Sequence, residues 1–349
     1  DGCNLFETSN LNELGHLANL HKEAMFGKNA YFNSNVHINQ TNICVLACRF
    51  CAFRRGPKAE DAYALSIDSY LSELDKFSSF VNEVHSVGGL HPEWGVDHYC
   101  SLFKRIKKEH PHISIKALTA VEIKHLSQIS NLSIRETLQR LHEAGLTSLP
   151  GGGAEILDDD VRQIICNGKE SSQEYLDIHE TAHSIGLPSN CTMLFGTIET
   201  AKQRVEHMIQ LRDLAKRTNG FQCFVPYPFL PDSTRLPMAQ LSTGQEILRV
   251  IAVSRIMLNS IPHIKAYRMN IGDSMAELAL QYGADDIDGT VKQESIMHLA
   301  GSNAPLDYGV NQLAKLVTRS GNIPIKRNTT YSEFEQFVPA KQPRRLPVI

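Results

Sequence analysis

Val36-His37-Ile38-Asn39 alternates apolar and polar residues as a half-buried strand does, and runs through Gln40-Thr41-Asn42-Ile43 into Cys44-Val45-Leu46-Ala47-Cys48-Arg49-Phe50-Cys51. A strand that delivers a C-x3-C-x2-C loop sets two expectations. The loop offers three thiolates, from Cys44, Cys48 and Cys51, to a four-iron, four-sulfur cluster and leaves one iron without a protein ligand. The strand is also the first of a series, because strand and helix patterns alternate through most of the remaining chain.

Other uses of three close cysteines fit less well. A structural zinc site closes with four Cys or His ligands, often as two spaced pairs. Here Cys3, Cys100, Cys166, Cys191 and Cys223 are scattered singly. A non-catalytic iron–sulfur electron carrier would want a fourth cysteine on its cluster. Phe50 supplies the aromatic residue that usually precedes the third cysteine of radical-SAM loops. In such loops the open iron takes the amino and carboxylate groups of S-adenosylmethionine (SAM), and cleavage of the sulfonium bond releases a 5′-deoxyadenosyl radical.

Outward from this loop, helical periodicity covers about 11–26, 66–80, 96–109, 136–144, 172–185, 200–216 and 244–258. Strand candidates end at Val87-Gly88-Gly89 and cover 113–118, 146–149, 189–195, 221–226, 263–269 and 286–288. About eight β-α units in regular alternation predict an α/β fold with a parallel sheet closed as a (β/α)8 barrel. The expected organisation is an N-terminal helical extension over 1–35, the barrel over 36–321, and an extended C-terminal tail over 322–349 with loosely ordered final residues.

Composition narrows the class. The 349 residues are 42% hydrophobic and 21% charged, enough apolar material for a full core. A net charge of −3 without a dense Lys/Arg stripe gives no case for a nucleic-acid partner. No apolar run reaches the roughly 18 residues of a membrane span. The N-terminus carries no signal-peptide pattern, and eight cysteines, three of them grouped, point to a reducing, cytoplasmic setting.

In a barrel of this kind, ligand chemistry gathers in the loops after the strands. Gly88-Gly89 follows the second strand, where paired glycines either free carbonyls to accept from a ligand ammonium or simply make a tight turn. His91 lies two residues beyond. Gly151-Gly152-Gly153 with Glu155 follows the fourth strand; the glycines permit close backbone approach, and the carboxylate suits ribose hydroxyls or proton transfer. Tyr227-Pro228-Phe229-Leu230-Pro231-Asp232-Ser233-Thr234-Arg235 reads as one wall of an aryl pocket with Arg235 on a carboxylate, or as a rigid surface turn. Asp288 either enters the mouth or solvates a turn.

With these pieces in view, the chain resembles the radical-SAM enzymes of the futalosine route to menaquinone, and among them the aminofutalosine synthases most. The likeness runs through 37–44, Cys51-Ala52-Phe53, 88–92, 116–123, 149–156, 192–196, 263–267 and 283–291. Much of it is shared with the dehypoxanthine futalosine cyclases and the tyrosine-using transferase subunit of deazaflavin synthase. Lys116-Ala117-Leu118-Thr119-Ala120 and His263-Ile264-Lys265-Ala266-Tyr267 look most like the synthase.

The resemblance implies that SAM is consumed as a co-substrate. Its adenosyl radical adds to the enolpyruvyl double bond of 3-[(1-carboxyvinyl)oxy]benzoate, and 6-amino-6-deoxyfutalosine forms with loss of a carboxylate. It also implies a flavodoxin- or ferredoxin-type reductant, Phe50 by the adenine, Gly88 and Gly89 at the SAM amino group, and Glu155 as a SAM or substrate contact. His91, Arg235 and Arg268 are the expected substrate contacts; Glu155, Arg268 and Asp288 are the candidates for a part in the chemistry. Three positions depart from the synthase pattern: Thr197, Leu230 and Arg268. Either Arg268 compensates as a clamp on one of the substrate's two carboxylates, or the three changes mark a different acceptor.

Overall fold

Asn29–Phe32 (β1) and Asn35–His37 (β2) are two halves of one interrupted strand, and the interruption decides how the sheet closes. The computed structural model of the chain describes residues 2–340. The following strands are Glu83–Ser86 (β3), Ser114–Ala117 (β4), Leu146–Ser148 (β5), Ser189–Phe195 (β6), Phe221–Pro228 (β7), His263–Ala266 (β8) and Asp286–Ile287 (β9). Each pairs in parallel with its sequence neighbour from β2 to β5 and from β6 to β9. The bridge Leu149↔Ser189 joins the two arcs after β5. On the far side β1 pairs with β9 at Tyr31↔Asp286, so the ring shuts. With β1 and β2 counted as one strand, the ring is the expected (β/α)8 barrel.

The strands are short; several of their inward positions carry polar or charged side chains (His37, Glu83, His85, Lys116 and Lys265), a departure from the continuous apolar runs usual in a parallel sheet covered by helices. Helices lie at the expected places and also at Ala120–Ser130, Asp159–Ile165, Asp273–Ala279 and Val310–Arg319, where none was expected; several starts follow local chemistry, for Ser66, Asp158, Ser171, Thr200 and Thr243 each accept a backbone N–H at the N-cap. One large apolar cluster fills the space between strands and helices.

Three of the expected segments take another form. The first strand starts at Asn29, inside the stretch assigned to the N-terminal extension. The strand expected to run from His263 through Met269 stops at Ala266, and Arg268–Ile271 turns helical because Asp288 Oδ2 accepts the Met269 N–H at 2.8 Å. From 322 onward the chain is built into the sheet: Ile323–Arg327 (β10) pairs in parallel with the other edge of β1, and Phe334–Gln336 (β11) adds antiparallel to it. Pro324 is the second residue of a strand flanked on both sides, where its carbonyl accepts the Phe337 N–H at 2.9 Å, and the pairing depends on tertiary contacts that periodicity does not show. The final residues 341–349 lie outside the described residues.

Candidate active site

The cysteine loop leaves β2 at the barrel mouth and is held from several sides. Cys44 N–H bonds the Arg55 carbonyl at 3.0 Å, Val45 N–H the Leu90 carbonyl at 3.1 Å, and Arg49 N–H the Ile165 carbonyl at 2.8 Å. Guanidinium groups occupy its carbonyls: Arg54 reaches Leu46 at 2.9 Å, Arg55 reaches Ala52 at 2.8 Å, and Arg235 reaches Ala47 at 2.7 Å and Cys48 at 3.3 Å. Cys44, Cys48 and Cys51 are free and partly exposed, whereas Cys100, Cys166, Cys191 and Cys223 are free and buried. Burial pushes the Cys48 thiol up to about 12 and raises Cys51, so metal must displace their protons on binding. Among the described residues no three His, Cys, Asp or Glu side chains converge as a single-ion site needs. Zinc would draw its sulfurs to one point at about 2.3 Å, whereas a four-iron cluster takes thiolates at separate corners. Three free thiols on a braced loop with a cationic frame fit such a cluster.

Gly88-Gly89 packs directly under the start of this loop. A Cβ on Gly89 would stand 2.2 Å from the Ile43 carbonyl oxygen, so only glycine fits. Gly89 N–H bonds the Thr41 carbonyl at 2.8 Å, and Gly88 N–H bonds Glu122 Oε1 at 3.1 Å. Glu122, in the first turn of the helix Ala120–Ser130, also accepts from Gln40 at 3.1 Å and from Thr119 N–H and Oγ1 at 2.7 Å each. Burial nevertheless pushes this carboxyl up to about 7.

After β5, Gly151 (φ 83°) passes so close to β6 that a Cβ would meet the Asn190 carbonyl oxygen at 2.2 Å. The loop ends at Glu155, which takes a left-handed conformation (φ 45°) rare outside glycine, a form of strain common at functional sites. Glu155 is buried and pairs with Lys169 at 2.7 Å, and Tyr227 donates to its other oxygen at 3.3 Å. The Lys169 ammonium lies 5.8 Å over the ring of Phe50. Burial disfavours that charge, but Glu155 and Glu170 hold the lysine pKa well above its usual value. Tyr227, Glu155, Lys169 and Phe50 thus form a continuous wall from the barrel interior to the cysteine loop.

Inside the barrel lies a cavity of about 200 Å³, lined near its mouth by Thr119, Gly152, Tyr227 and Asp288. Its lower half is charged. Lys265 pairs with Asp286 at 2.9 Å, Arg327 of β10 pairs with Asp286 at 2.6 Å, and Lys116 stands 3.9 Å from Glu83. Burial alone would raise both carboxyls; Lys116 and Arg327 hold Glu83 down at about 2, and Arg327 and Lys265 do the same for Asp286. Burial lowers Lys116 to about 8, so it keeps its proton at neutral pH. His37 and His85 stack at 4.3 Å between ring centroids, and burial lowers them to about 3 and about 4. Both imidazoles are neutral.

The residues singled out from sequence separate into two groups. Cys44, Cys48, Cys51, Phe50, Gly88, Gly89 and Glu155 gather at the mouth, and Asp288 lines the cavity. Arg268 does not reach the cavity. It is fully buried on the short helix after β8, paired with Asp273 at 3.3 Å and Asp288 at 3.4 Å, with its guanidinium over Tyr308 at 4.7 Å. The early end of β8 turns it outward, and two carboxylates already satisfy its charge. Arg235 grips the cysteine loop's own carbonyls instead of a ligand. His91 stacks on Trp94 at 4.3 Å, away from the cavity. Thr197 is buried and bonds Glu199 at 2.6 Å. Lys169, Lys116, Lys265, Glu83, Asp286 and Arg327 carry charge at the site and were not singled out by sequence. Their signal is a charged residue within a short apolar stretch, best seen in Ile113-Ser114-Ile115-Lys116-Ala117-Leu118 and His263-Ile264-Lys265-Ala266.

Comparison with known proteins agrees with this geometry. Residues 38–211 match the radical SAM superfamily, and residues 218–340 match the CofH/MqnC C-terminal region. The chain is 39% identical to the aminodeoxyfutalosine synthase of Thermus thermophilus, over 95% of this chain and 91% of that protein. It is 37% identical to the cyclic dehypoxanthine futalosine synthase of Streptomyces coelicolor, over 89% of this chain and 77% of that one. The crystal structure of methylornithine synthase (PylB) shares the fold, with a TM-score of 0.74 at 17% identity over 93% of each chain. Among the described residues no helix is long and apolar enough to cross a membrane. A cysteine loop at the mouth of a closed barrel, with a cavity beneath it and full-length relatives of this kind, means that the chain belongs to the radical SAM superfamily and, within it, to the family shared by the aminodeoxyfutalosine synthases and cyclic dehypoxanthine futalosine synthases.

Proposed function

We propose that this chain is an aminofutalosine synthase. It joins the 5′-deoxyadenosyl group of SAM to 3-[(1-carboxyvinyl)oxy]benzoate, giving 6-amino-6-deoxyfutalosine for menaquinone synthesis. The observation that carries this reading is the near-complete mutual coverage with the synthase of Thermus thermophilus, greater for both chains than with the cyclic dehypoxanthine futalosine synthase.

A four-iron cluster on Cys44, Cys48 and Cys51, with SAM, supplies the adenosyl radical when bound. The chain's own residues bind and orient. The carbonyls of Gly88 and Gly89 would receive the SAM ammonium, on a turn that Glu122 holds through the Gly88 N–H. Phe50 and the buried Glu155–Lys169 pair form the wall between nucleotide and acceptor. The barrel walls shield the reacting double bond from bulk water. Exposed Val45 and Ala47 give a flavodoxin- or ferredoxin-type donor access to the loop.

Protein reconstituted with iron and sulfide under anaerobic conditions, given dithionite, SAM and the enolpyruvyl benzoate, should yield an adenosine–benzoate adduct by mass spectrometry. If 5′-deoxyadenosine forms only with dehypoxanthine futalosine, the chain is a cyclase and the proposal fails.

A further inference from the structure

At the floor of the barrel cavity one ammonium, that of Lys116, has no carboxylate closer than 3.9 Å. Asp286 is saturated: Arg327 donates to it at 2.6 and 3.2 Å, Lys265 stands at 2.9 Å, and Tyr331 donates at 2.9 Å. Glu83 accepts from Asn35 at 3.2 Å and stands only 3.9 Å from Lys116. Two further acids line the cavity: Asp288 pairs with Arg268 and accepts the Met269 N–H, and Glu294 bonds His298 and the first turn of the helix Ile296–Leu299. A buried ammonium this loosely paired can take a ligand anion as its closer partner.

The same place offers hydrogen-bond donors. His37 and His85 line the cavity, and among the described residues no protein hydrogen bond reaches either ring. Lys116 comes from β4 and Lys265 from β8, so the two ammonium groups reach the cavity from different sides of the ring. Both lysines lie in the two segments where the sequence looks most like a synthase.

We propose that Lys116 and Lys265, with the stacked His37–His85 pair, form an anchor for one ligand carboxylate deep in the barrel. This rests on the synthase reading, and it fixes the substrate's direction. The cysteine loop is at the mouth, so the enolpyruvyl double bond must face upward and the benzoate carboxylate must be the one held below.

The test is calorimetric titration of the cluster-loaded protein with three ligands: 3-[(1-carboxyvinyl)oxy]benzoate, 2-phenoxyacrylate, which lacks the benzoate carboxylate, and 3-(vinyloxy)benzoate, which lacks the other. Wild-type protein should lose at least about 30-fold in affinity when the benzoate carboxylate is removed, the size expected for a buried charge partner. Lys116→Met should weaken the dicarboxylate by a similar factor and bind 2-phenoxyacrylate as the wild type does. The double variant Glu83→Gln, Lys116→Met removes the pair without leaving a bare carboxylate, and should behave alike if the single variant folds poorly. Equal weakening of the dicarboxylate and 2-phenoxyacrylate overturns the anchor, and coupling to the other carboxylate overturns the orientation. Wild-type protein that binds no ligand of the three overturns the synthase reading itself.

Discussion

Lys169 stands 2.7 Å from Glu155 and 5.8 Å over the ring of Phe50, so one buried ammonium joins the glycine loop after β5 to the cysteine loop after β2. The two loops are more than a hundred residues apart in sequence, and this contact sets one against the other. Removing one partner of such a pair leaves an uncompensated buried charge, at a cost of about 3 to 5 kcal/mol. Lys169→Met should therefore lower the denaturant midpoint strongly. Lys169→Met combined with Glu155→Gln should recover most of the loss, as a double-mutant cycle reads it.

Cys48→Ala should abolish SAM cleavage and lower bound iron, whereas Cys166→Ala should retain both. Cys166 is buried near Cys48, raised in pKa by that burial, and lies outside the motif. Iron and sulfide analysis with a 5′-deoxyadenosine assay checks this. Full activity of the Cys48 variant would remove the loop as the cluster site.

Arg235→Ala should loosen the cysteine loop rather than weaken acceptor binding, because its guanidinium bonds the carbonyls of Ala47 and Cys48. Iron loss to a chelator should be several-fold faster than in the wild type, with an unchanged KM for the dicarboxylate. A raised KM with unchanged iron retention would restore Arg235 as a substrate contact.

Glu122 sets a pH dependence. Its carboxyl is pushed by burial from 4.5 up to about 7, so the folded state favours the protonated form. The resulting contribution to stability is full below about 4.5 and is lost as pH rises through about 7. Glu122→Gln does not titrate. The wild type should lose stability relative to this variant across that interval, by at most about 3 kcal/mol. Urea unfolding of cluster-free protein at pH 5 and pH 8 measures it, and a difference independent of pH would contradict the assignment.

Much of the fold was legible because its signals are local. Helical periodicity and short strand-like stretches placed most elements to within a few residues, and the C-x3-C-x2-C spacing marked the mouth. The misplaced parts depend on contacts distant in sequence. β10 is a strand because β1 offers it a free edge and Asp286 takes Arg327. Arg268 looked available because its partners Asp273 and Asp288 meet it only after β8 ends early. The inward lysines were visible as charges inside apolar strands, but which face of a strand looks into a barrel follows from ring closure, not from the strand alone.

The central claim is that Cys44, Cys48 and Cys51 hold a cluster with one iron open to SAM. The most direct measurement is electron paramagnetic resonance of the reconstituted, dithionite-reduced protein before and after SAM is added, with SAM labelled at its amino nitrogen. The account predicts about one four-iron cluster per chain, a spectrum shifted by SAM, and hyperfine coupling to the labelled nitrogen. A spectrum indifferent to SAM, with every iron ligated by the polypeptide, would contradict it.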